Sequence, residues 1–399
     1  MKFDSLLQQV PLMLALTIMW LIALFVIFWA MVGYPISLVI LNKIFKRETK
    51  KDCAYEPTVT VMVVAHNEEK VIEQKLQNLL EVDYPQEKIE FLVASDFSTD
   101  KTNDIVESFI AKHPERKIRI HKTVNHYGKT NAQNEAQELC NTEILVMTDA
   151  NAIFESCAVK ELVSYFTDSS IAYVSGQLRY MNTEGSDTAN SEGFYWKLDL
   201  MCRNIESKLQ TITAGNGAIY AVRNEYYVKV SPIECHDSSF PFIFALEKKK
   251  SLYNPNAIAY EKAGEVNEDE FKRKVRMNRD ILTGICPKMR VFNVFSYHWF
   301  TYFYFGHRTC RYLLWLMHLL VLAINIPLAI WGGIPWLVLL GLQILFYLIA
   351  LIGWVTKSGN RLTRTVFYYC MTVMAQWKGV INIITGKSKP VWEKAESTR

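Results

Sequence analysis

Residues 59–102 read VTVMVVAHNEEKVIEQKLQNLLEVDYPQEKIEFLVASDFSTDKT. The opening VTVMVV is mostly β-branched and is bounded by Pro57 on one side and His66-Asn67 on the other. That pattern fits a strand buried on both faces. Helical spacing follows over 68–82, through Val71, Lys75, Leu79 and Val82. A second strand is expected at 89–94 (IEFLVA) and a second helix at 100–112. Outward from there come a strand at 118–123, a helix at 130–140 and a strand at 143–148 (EILVMT). Strand and helix alternating from 59 to 148 predict an α/β fold with a doubly wound, mostly parallel sheet. Such sheets bind ligands at the carboxyl ends of their strands. Polar residues gather at three such ends, 66–68, 96–100 and 149–151.

The flanks are different in kind. Residues 11–32, PLMLALTIMWLIALFVIFWAMV, carry no charge and are long enough to span a bilayer. They are too long for the apolar part of a signal peptide, and no A-x-A-like site follows. Lys43, Lys46, Arg47, Lys50 and Lys51 come next, against Lys2 on the other side. The excess of basic residues places the stretch after 42 in the cytoplasm. Two more spans are expected at 312–331 and 335–355, joined by Gly332-Gly333-Ile334, with basic residues on both flanks. A third apolar stretch, 365–384, carries Gln376 and Lys378 and is read as interfacial or re-entrant. Residues 295–311, FSYHWFTYFYFGHRTCR, suit an amphipathic helix on the cytoplasmic surface. The expected organisation is a membrane helix at 1–42, a cytoplasmic domain at 43–290 and an interfacial helix at 291–311. A transmembrane hairpin at 312–356 and a membrane-associated segment with a basic tail at 357–399 complete it. The expected location is a cell (inner) membrane, multi-pass, with the lipid bilayer as a partner, and cysteine usage and topology are compatible with a bacterial or archaeal cell.

Composition sets outer bounds. Half of the 399 residues are apolar, 21% are charged, and the mean hydropathy is +0.04. These values exclude a disordered chain, a collagen and a small disulfide scaffold. A net charge of +4 without a long Lys/Arg block gives no footprint for nucleic acid. The eight cysteines are dispersed, with no C-x-x-C pair, as expected of free thiols in a reducing compartment.

Two nucleotide motifs fail. Gly128-Lys129-Thr130 ends like a P-loop, but Thr123 stands where that motif needs its first glycine. No G-x-G-x-x-G follows the first strand. What remains is acidic: Asp149-Ala150-Asn151 ends an apolar strand. Oxygen-bearing side chains at i and i+2 on a bend can hold one hard cation, whose shell substrate phosphates and water complete. A helix cap or Asx turn is the bland alternative, and the place after the fourth strand favours the cation.

Six motifs occur in order: VTVMVVAHNEE, VASDFSTDKT, GKTNAQNEA, ILVMTDANAIF, AGNGAIYAVR and FKRKVRMNRD. Together they resemble glycosyltransferase family 2, with its GT-A fold, of the membrane-anchored kind that includes polysaccharide synthases. The resemblance covers about residues 57–290. It implies a nucleotide-diphospho-sugar donor, UDP-linked by family habit, and inversion at the anomeric carbon. It also implies that Ala65, Asn67 and Glu68 line the nucleoside pocket, that Asp96 and Ser98 meet the base or ribose, and that Lys129 lies near the base and phosphates. Asp149 and Asn151 stand where the family has its D-x-D motif for Mg²⁺ or Mn²⁺, with an amide for the second acid. The family's E-D or D-D motif falls on Glu234-Cys235-His236-Asp237. Asp237 is the expected general base, Glu234 the runner-up, and His236 either a ligand or a structural residue. Arg273 and Arg276 match the family's Q/R-x-x-R-W region, with Met277 for tryptophan, and Arg276 would face the diphosphate. Gly215-Asn216-Gly217 resembles the acceptor-side loop. Trp392 and Arg399 resemble the family's W-x-x-x-R ending near the donor. Phe194, Tyr195 and Trp196 are candidates for a sugar-binding platform or for core.

The expected function is transfer of one sugar to a lipid-linked saccharide or lipid acceptor in envelope or exopolysaccharide synthesis. A processive polysaccharide synthase is the close alternative. Three or four membrane segments are few for a channel, which an oligomer or export partner would have to complete. A non-catalytic nucleotide-sugar sensor is the alternative from another class, motivated by Asn151 and His236.

Overall fold

The first strand, β1 (Val59–Ala65), has all seven of its residues buried. Val59, Val61 and Val63 point into one apolar cluster and Met62 and Val64 into another, so both faces of the strand are covered. The computed structural model describes residues 2–45, 49–181, 187–262, 267–356 and 360–391. β2 (Ile89–Ser95), β3 (Ile118–Lys122) and β4 (Ile144–Asp149) follow the sequence reading to within two residues at either end. The chain then adds β5 (Ile153–Phe154), β6 (Ile171–Tyr180), β7 (Ile219–Arg223) and β8 (Lys250–Glu261), which sequence reading did not assign. The eight strands form one sheet in the order β3-β2-β1-β4-β7-β6-β8-β5.

The sheet is mixed. β1 pairs in parallel with β2 and β4, and β2 with β3. β7 runs antiparallel to β4 and β6, β8 runs parallel to β6, and β5 is antiparallel to β8. Only β7 and β5 therefore oppose the common direction. The carboxyl ends of β1, β2, β4, β6 and β8 open on one edge, and the residues entering β7 arrive there too. Register aligns Val64 with Asp149, Ala65 with Ser95 and Thr148 with Ile219.

Three helices among the described residues are long and apolar enough to cross a membrane: Val10–Ile44, Leu314–Trp331 and Ile334–Thr356. The first has 35 residues, more than the roughly 20 a bilayer core needs. Its surplus packs on the α/β domain. Tyr34 and Leu38 are buried against Cys202, Ile205 and Leu209 of the helix Asp187–Leu209 and against Phe303.

The segment expected as one amphipathic helix over 295–311 is interrupted instead. It comprises Val294–Tyr297, Trp299–Phe303, a π-helical turn Tyr304–Thr309 and Cys310–Tyr312. His298, at φ +53°, breaks the first junction. Phe300, Phe303 and Tyr304 turn inward, while Phe295 and Phe305 stay exposed. The helix Arg361–Ile384 starts beside the spans, where the Tyr369 hydroxyl lies 2.8 Å from His318 Nε2. Further along, Gln376 Nε2 donates to the carbonyl of Arg311 at 3.0 Å, and Gly379 packs on Asn278. The helix thus runs from the bundle to the domain. The chain beyond it reaches Arg279, which donates from Nη1 to the carbonyl of Pro390 at 3.0 Å.

Candidate active site

The loop after β1 is stitched to the loop after β2. Asn67, at φ +54°, accepts at Oδ1 from the backbone N–H groups of Thr99 (2.7 Å) and Asp100 (3.3 Å). Its own N–H donates to Ser98 Oγ at 3.1 Å, and that of Glu68 to Thr102 Oγ1 at 2.7 Å. The N–H of Asp96 donates to the carbonyl of Ala65 at 2.8 Å. Asp96 is fully buried. His126 Nδ1 donates to one of its carboxylate oxygens at 2.8 Å and the Tyr127 N–H to the other at 3.3 Å. All five residues expected around the nucleoside therefore meet, with His126 and His66 added. His66 stacks on His126 with ring centroids 3.8 Å apart and planes 9° from parallel.

His66, Asp96 and His126 bring three ligand-type atoms within 4.8 Å of one another. Imidazole lone pairs lie in the ring plane. Two parallel stacked rings direct theirs side by side, not toward one point between them. As built, the pair is a flat surface beside a buried carboxylate rather than a cation cage.

The second cluster centres on Lys129, which opens the helix Lys129–Gln137. Its ammonium donates to Asp149 Oδ1 and, at 3.0 Å, to the carbonyl of Gly217. A methyl group at Gly217 would lie 3.4 Å from Lys129 Nζ and 3.5 Å from Asp237 Oδ2. Lys129, Asp149, Asp237 and the Gly215–Gly217 loop are thus one constellation. Burial pulls the Lys129 pKa down, but Asp149 and Asp237 outweigh it and hold it above the ordinary lysine value. Arg276 belongs here as well. Burial and the neighbouring Arg273 lower its pKa, against the pull of Asp149. Arg273 is turned to its own helix, with Nε 2.7 Å from Glu270 Oε2.

The loop after β4 is held from below. Lys75, fully buried, donates to Thr148 Oγ1 at 3.1 Å and to the carbonyl of Ala152. Burial lowers its pKa to about 7. Asn151 sits at the same strand edge, and its Nδ2 donates to Glu261 Oε1 at 2.5 Å.

Around Asp237 the sequence alternatives separate. Asp237 lies in the first turn of the helix His236–Leu246, and its carbonyl accepts from the N–H of Gly215 at 2.7 Å. Glu234 is anchored by its backbone carbonyl, which accepts from Thr130 Oγ1 at 2.6 Å and Arg279 Nη2 at 3.0 Å. His236 is buried between Gln133 Oε1 at 2.9 Å, Asn134 Oδ1 at 3.0 Å and the Tyr227 hydroxyl at 2.9 Å. Burial, helped by Lys129, drops its pKa to about 3. The ring is buried and its polar partners are protein side chains, which favours the structural one of the two readings. Unfolding restores the ordinary value of 6.5, so the unfolded chain binds the extra proton. The stability from neutral burial is complete above pH 6.5 and is lost as pH falls toward 3. Below pH 6.5 it falls by about 1.4 kcal/mol per pH unit. Thermal unfolding from pH 7 to 4.5 should show this slope, and His236→Gln should flatten it.

Gly128, at φ +93°, precedes Lys129, and a Cβ there would lie 2.5 Å from the carbonyl of Pro390. The tail therefore closes on the Lys129 loop through a position only glycine fills. Gly128→Ala should cost about 1 kcal/mol in backbone strain and displace the tail. Limited proteolysis should then cut after 386 faster than in the parent. Trp392, Arg399 and the side chains of Phe194 and Tyr195 lie outside the described residues. Trp196 is described, beside the guanidinium of Arg203 at 5.9 Å.

One structural feature escaped the sequence reading altogether, a buried ionic cluster that reaches the Gly215 carbonyl. Asp199 accepts from Arg311 Nη1 (2.6 Å), forms an ion pair with Arg203, whose Nε lies 2.6 Å from its Oδ2, and places its Oδ1 2.9 Å from His307 Nε2. Glu206 Oε1 takes the Tyr34 hydroxyl at 2.6 Å and faces His307 Nδ1 at 2.6 Å. Arg203 Nη1 also donates to the carbonyl of Gly215. The first span is thus connected to the constellation loop through hydrogen bonds and one ion pair, that of Asp199 with Arg203.

Residues 60–229 match the family model Glycosyl transferase family 2. A probable glycosyltransferase of Bacillus subtilis, YdaM, is 33% identical over 172 residues, 42% of this chain and 40% of that protein. The beta-monoglucosyldiacylglycerol synthase of Synechocystis is 33% identical over 110 residues, 28% of this chain and 23% of that one. The chain thus spans two fifths or less of the length of these curated relatives. Among solved structures, the mannosyltransferase PcManGT of Pyrobaculum calidifontis, in complex with GDP-Man and Mn²⁺, superposes with a TM-score of 0.72. The overlap covers 92% of this chain and 99% of that one at 20% identity. The fold is GT-A, with apolar helices attached that can cross a membrane.

Proposed function

We propose that this chain transfers a sugar from a nucleotide-diphospho-sugar to a hydroxyl of a lipid or lipid-linked saccharide at the cytoplasmic face of the membrane, with inversion. The observation that carries this reading is the convergence of Lys129, Asp149, Asp237 and Gly217, beside half-buried Arg276, at the carboxyl edge of the sheet. The stitched loops after β1 and β2 and the stacked imidazoles form the floor for the nucleoside. UDP is the first base to try. The mannosyltransferase binds GDP-Man, which makes GDP the second.

The acceptor hydroxyl attacks the anomeric carbon, its oxygen forming the new bond as the bond to the diphosphate breaks. Asp237 takes the hydroxyl proton. Lys129 and Arg276 stabilise the charge that develops on the leaving diphosphate. A divalent cation fits here: the Lys129 ammonium already sits on Asp149 as a counter-cation, and the Asn151 amide is turned with its nitrogen toward Glu261. Asp149 and Asn151 would hold Mg²⁺ or Mn²⁺, which adds positive charge for the leaving group. The name of the Synechocystis relative, beta-monoglucosyldiacylglycerol synthase, supports a lipid acceptor. An apolar groove lined by Met31, Val32, Pro35, Ile36, Val39, Leu198 and Met201 supports it too, because it adjoins the helix that carries Arg203.

The test is nucleoside-diphosphate release in lipid with Mn²⁺, offering UDP-glucose, UDP-galactose, UDP-GlcNAc, UDP-glucuronate and GDP-mannose singly, with membrane lipid extract as acceptor. One donor should release its diphosphate and label a single lipid product. A labelled polymer would favour the processive synthase. Donor binding without release from any donor would favour the sensor.

A further inference from the structure

We infer that Glu261 is a positioning residue that turns Asn151 into an oxygen donor for the cation, so that an amide serves where two carboxylates would otherwise be needed. The inference rests on the cation site proposed above.

An asparagine amide has two unlike ends. Its oxygen can face a cation, and its NH₂ group repels one. A freely rotating amide presents either. Here Nδ2 donates to Glu261 Oε1 at 2.5 Å, and an ionised carboxylate only accepts. The nitrogen end is thereby committed to Glu261 and the oxygen end faces the other way. The topology makes this contact. β5 pairs antiparallel with β8, Ile153 opposite Tyr260 and Phe154 opposite Ala259, so the loop leaving β4 comes alongside Glu261. Glu261 is itself pinned, because its carbonyl accepts from the Met181 N–H at 3.0 Å. Lys75 fixes the same loop from beneath through the Ala152 carbonyl. The negative charge missing at position 151 stands one hydrogen bond behind it, where it also makes the amide oxygen a better donor.

The experiment measures Mn²⁺ binding by the full chain in nanodiscs, reading free Mn²⁺ by electron paramagnetic resonance, with Mn²⁺ alone and with UDP present. Glu261→Ala should weaken Mn²⁺ binding about 10- to 100-fold. Asn151→Ala should weaken it comparably, and the double variant should be little worse than either, since Glu261 acts through Asn151. Glu261→Gln retains an acceptor for Nδ2 and should lie between parent and Glu261→Ala. If Glu261→Ala does not fold, Glu261→Gln with Asn151→Ala carries the same cycle. Losses that simply add would overturn the inference, as would parent-like affinity in Glu261→Ala. Asp149→Ala separates the two levels: if it binds Mn²⁺ like the parent, the cation site itself is wrong, whereas lost binding there with an unaffected Glu261→Ala removes only the role of Glu261.

Discussion

Replacing Asp237 with asparagine is expected to lower sugar transfer about 10³-fold while donor affinity stays within about twofold. The amide keeps the size and the place of the carboxylate in the first turn of its helix, but it cannot take a proton. Loss of a general base costs 10²- to 10⁴-fold. The backbone bond from Gly215 to the Asp237 carbonyl does not involve the side chain, so the loop should stand. Glu234→Gln is the matched control. Glu234 holds Thr130 and Arg279 through its main-chain carbonyl, and Ser239 lies 3.3 Å from its carboxylate. It should retain activity within a few fold. Single-turnover kinetics with saturating donor measure both variants, and equal losses in the two would move the base elsewhere.

Asp199→Ala should destabilise the protein by about 3–5 kcal/mol, the range for leaving buried charges without their partner. Three cationic side chains, Arg203, His307 and Arg311, lose the same carboxylate, and all of them are buried. Arg203 would then reorganise around the Gly215 carbonyl, so transfer should fall even in the folded fraction. Burial works against charge on His307, yet Glu206 and Asp199 raise its pKa above 6.5. A raised histidine stabilises fully below pH 6.5, and its contribution is lost as pH rises through the folded value. The cluster therefore weakens toward alkaline pH, opposite in sign to His236. Thermal unfolding against pH in the parent and in Asp199→Ala measures this, and the alkaline limb should flatten in the variant.

The first half of the sheet was legible because buried parallel strands are written as unbroken apolar runs, and β1 and β4 are such runs. The second half was not. β8 carries Asn254, Pro255 and Asn256 in its middle, pairs with β6 across register shifts, and so has no clean period. β5 is two residues long and exists only through its pairing with β8. Site legibility follows the same division. Asn67, Asp96, Asp149 and Lys129 end strands or open helices that the pattern revealed. Glu261 was invisible, since its link to Asn151 needs the β5–β8 pairing. Asp199, Arg203 and Glu206 recur at helical spacing, but their partners His307 and Arg311 lie about a hundred residues further along the chain. The amphipathic reading of 295–311 was right about its aromatic content but missed the break at His298, which no local propensity signals.

The central claim is that donor diphosphate and cation meet at the Lys129–Asp149–Asp237 constellation. A cryo-electron microscopy structure of the full chain in nanodiscs, with Mn²⁺ and UDP, or GDP if GDP-mannose is the donor that turns over, tests it most directly. The account predicts a cation peak at Asp149 and Asn151, with Lys129 shifted off Asp149 toward the diphosphate and Arg276 alongside it. A cation peak at His66, Asp96 and His126, or a diphosphate bound away from Lys129, would contradict it.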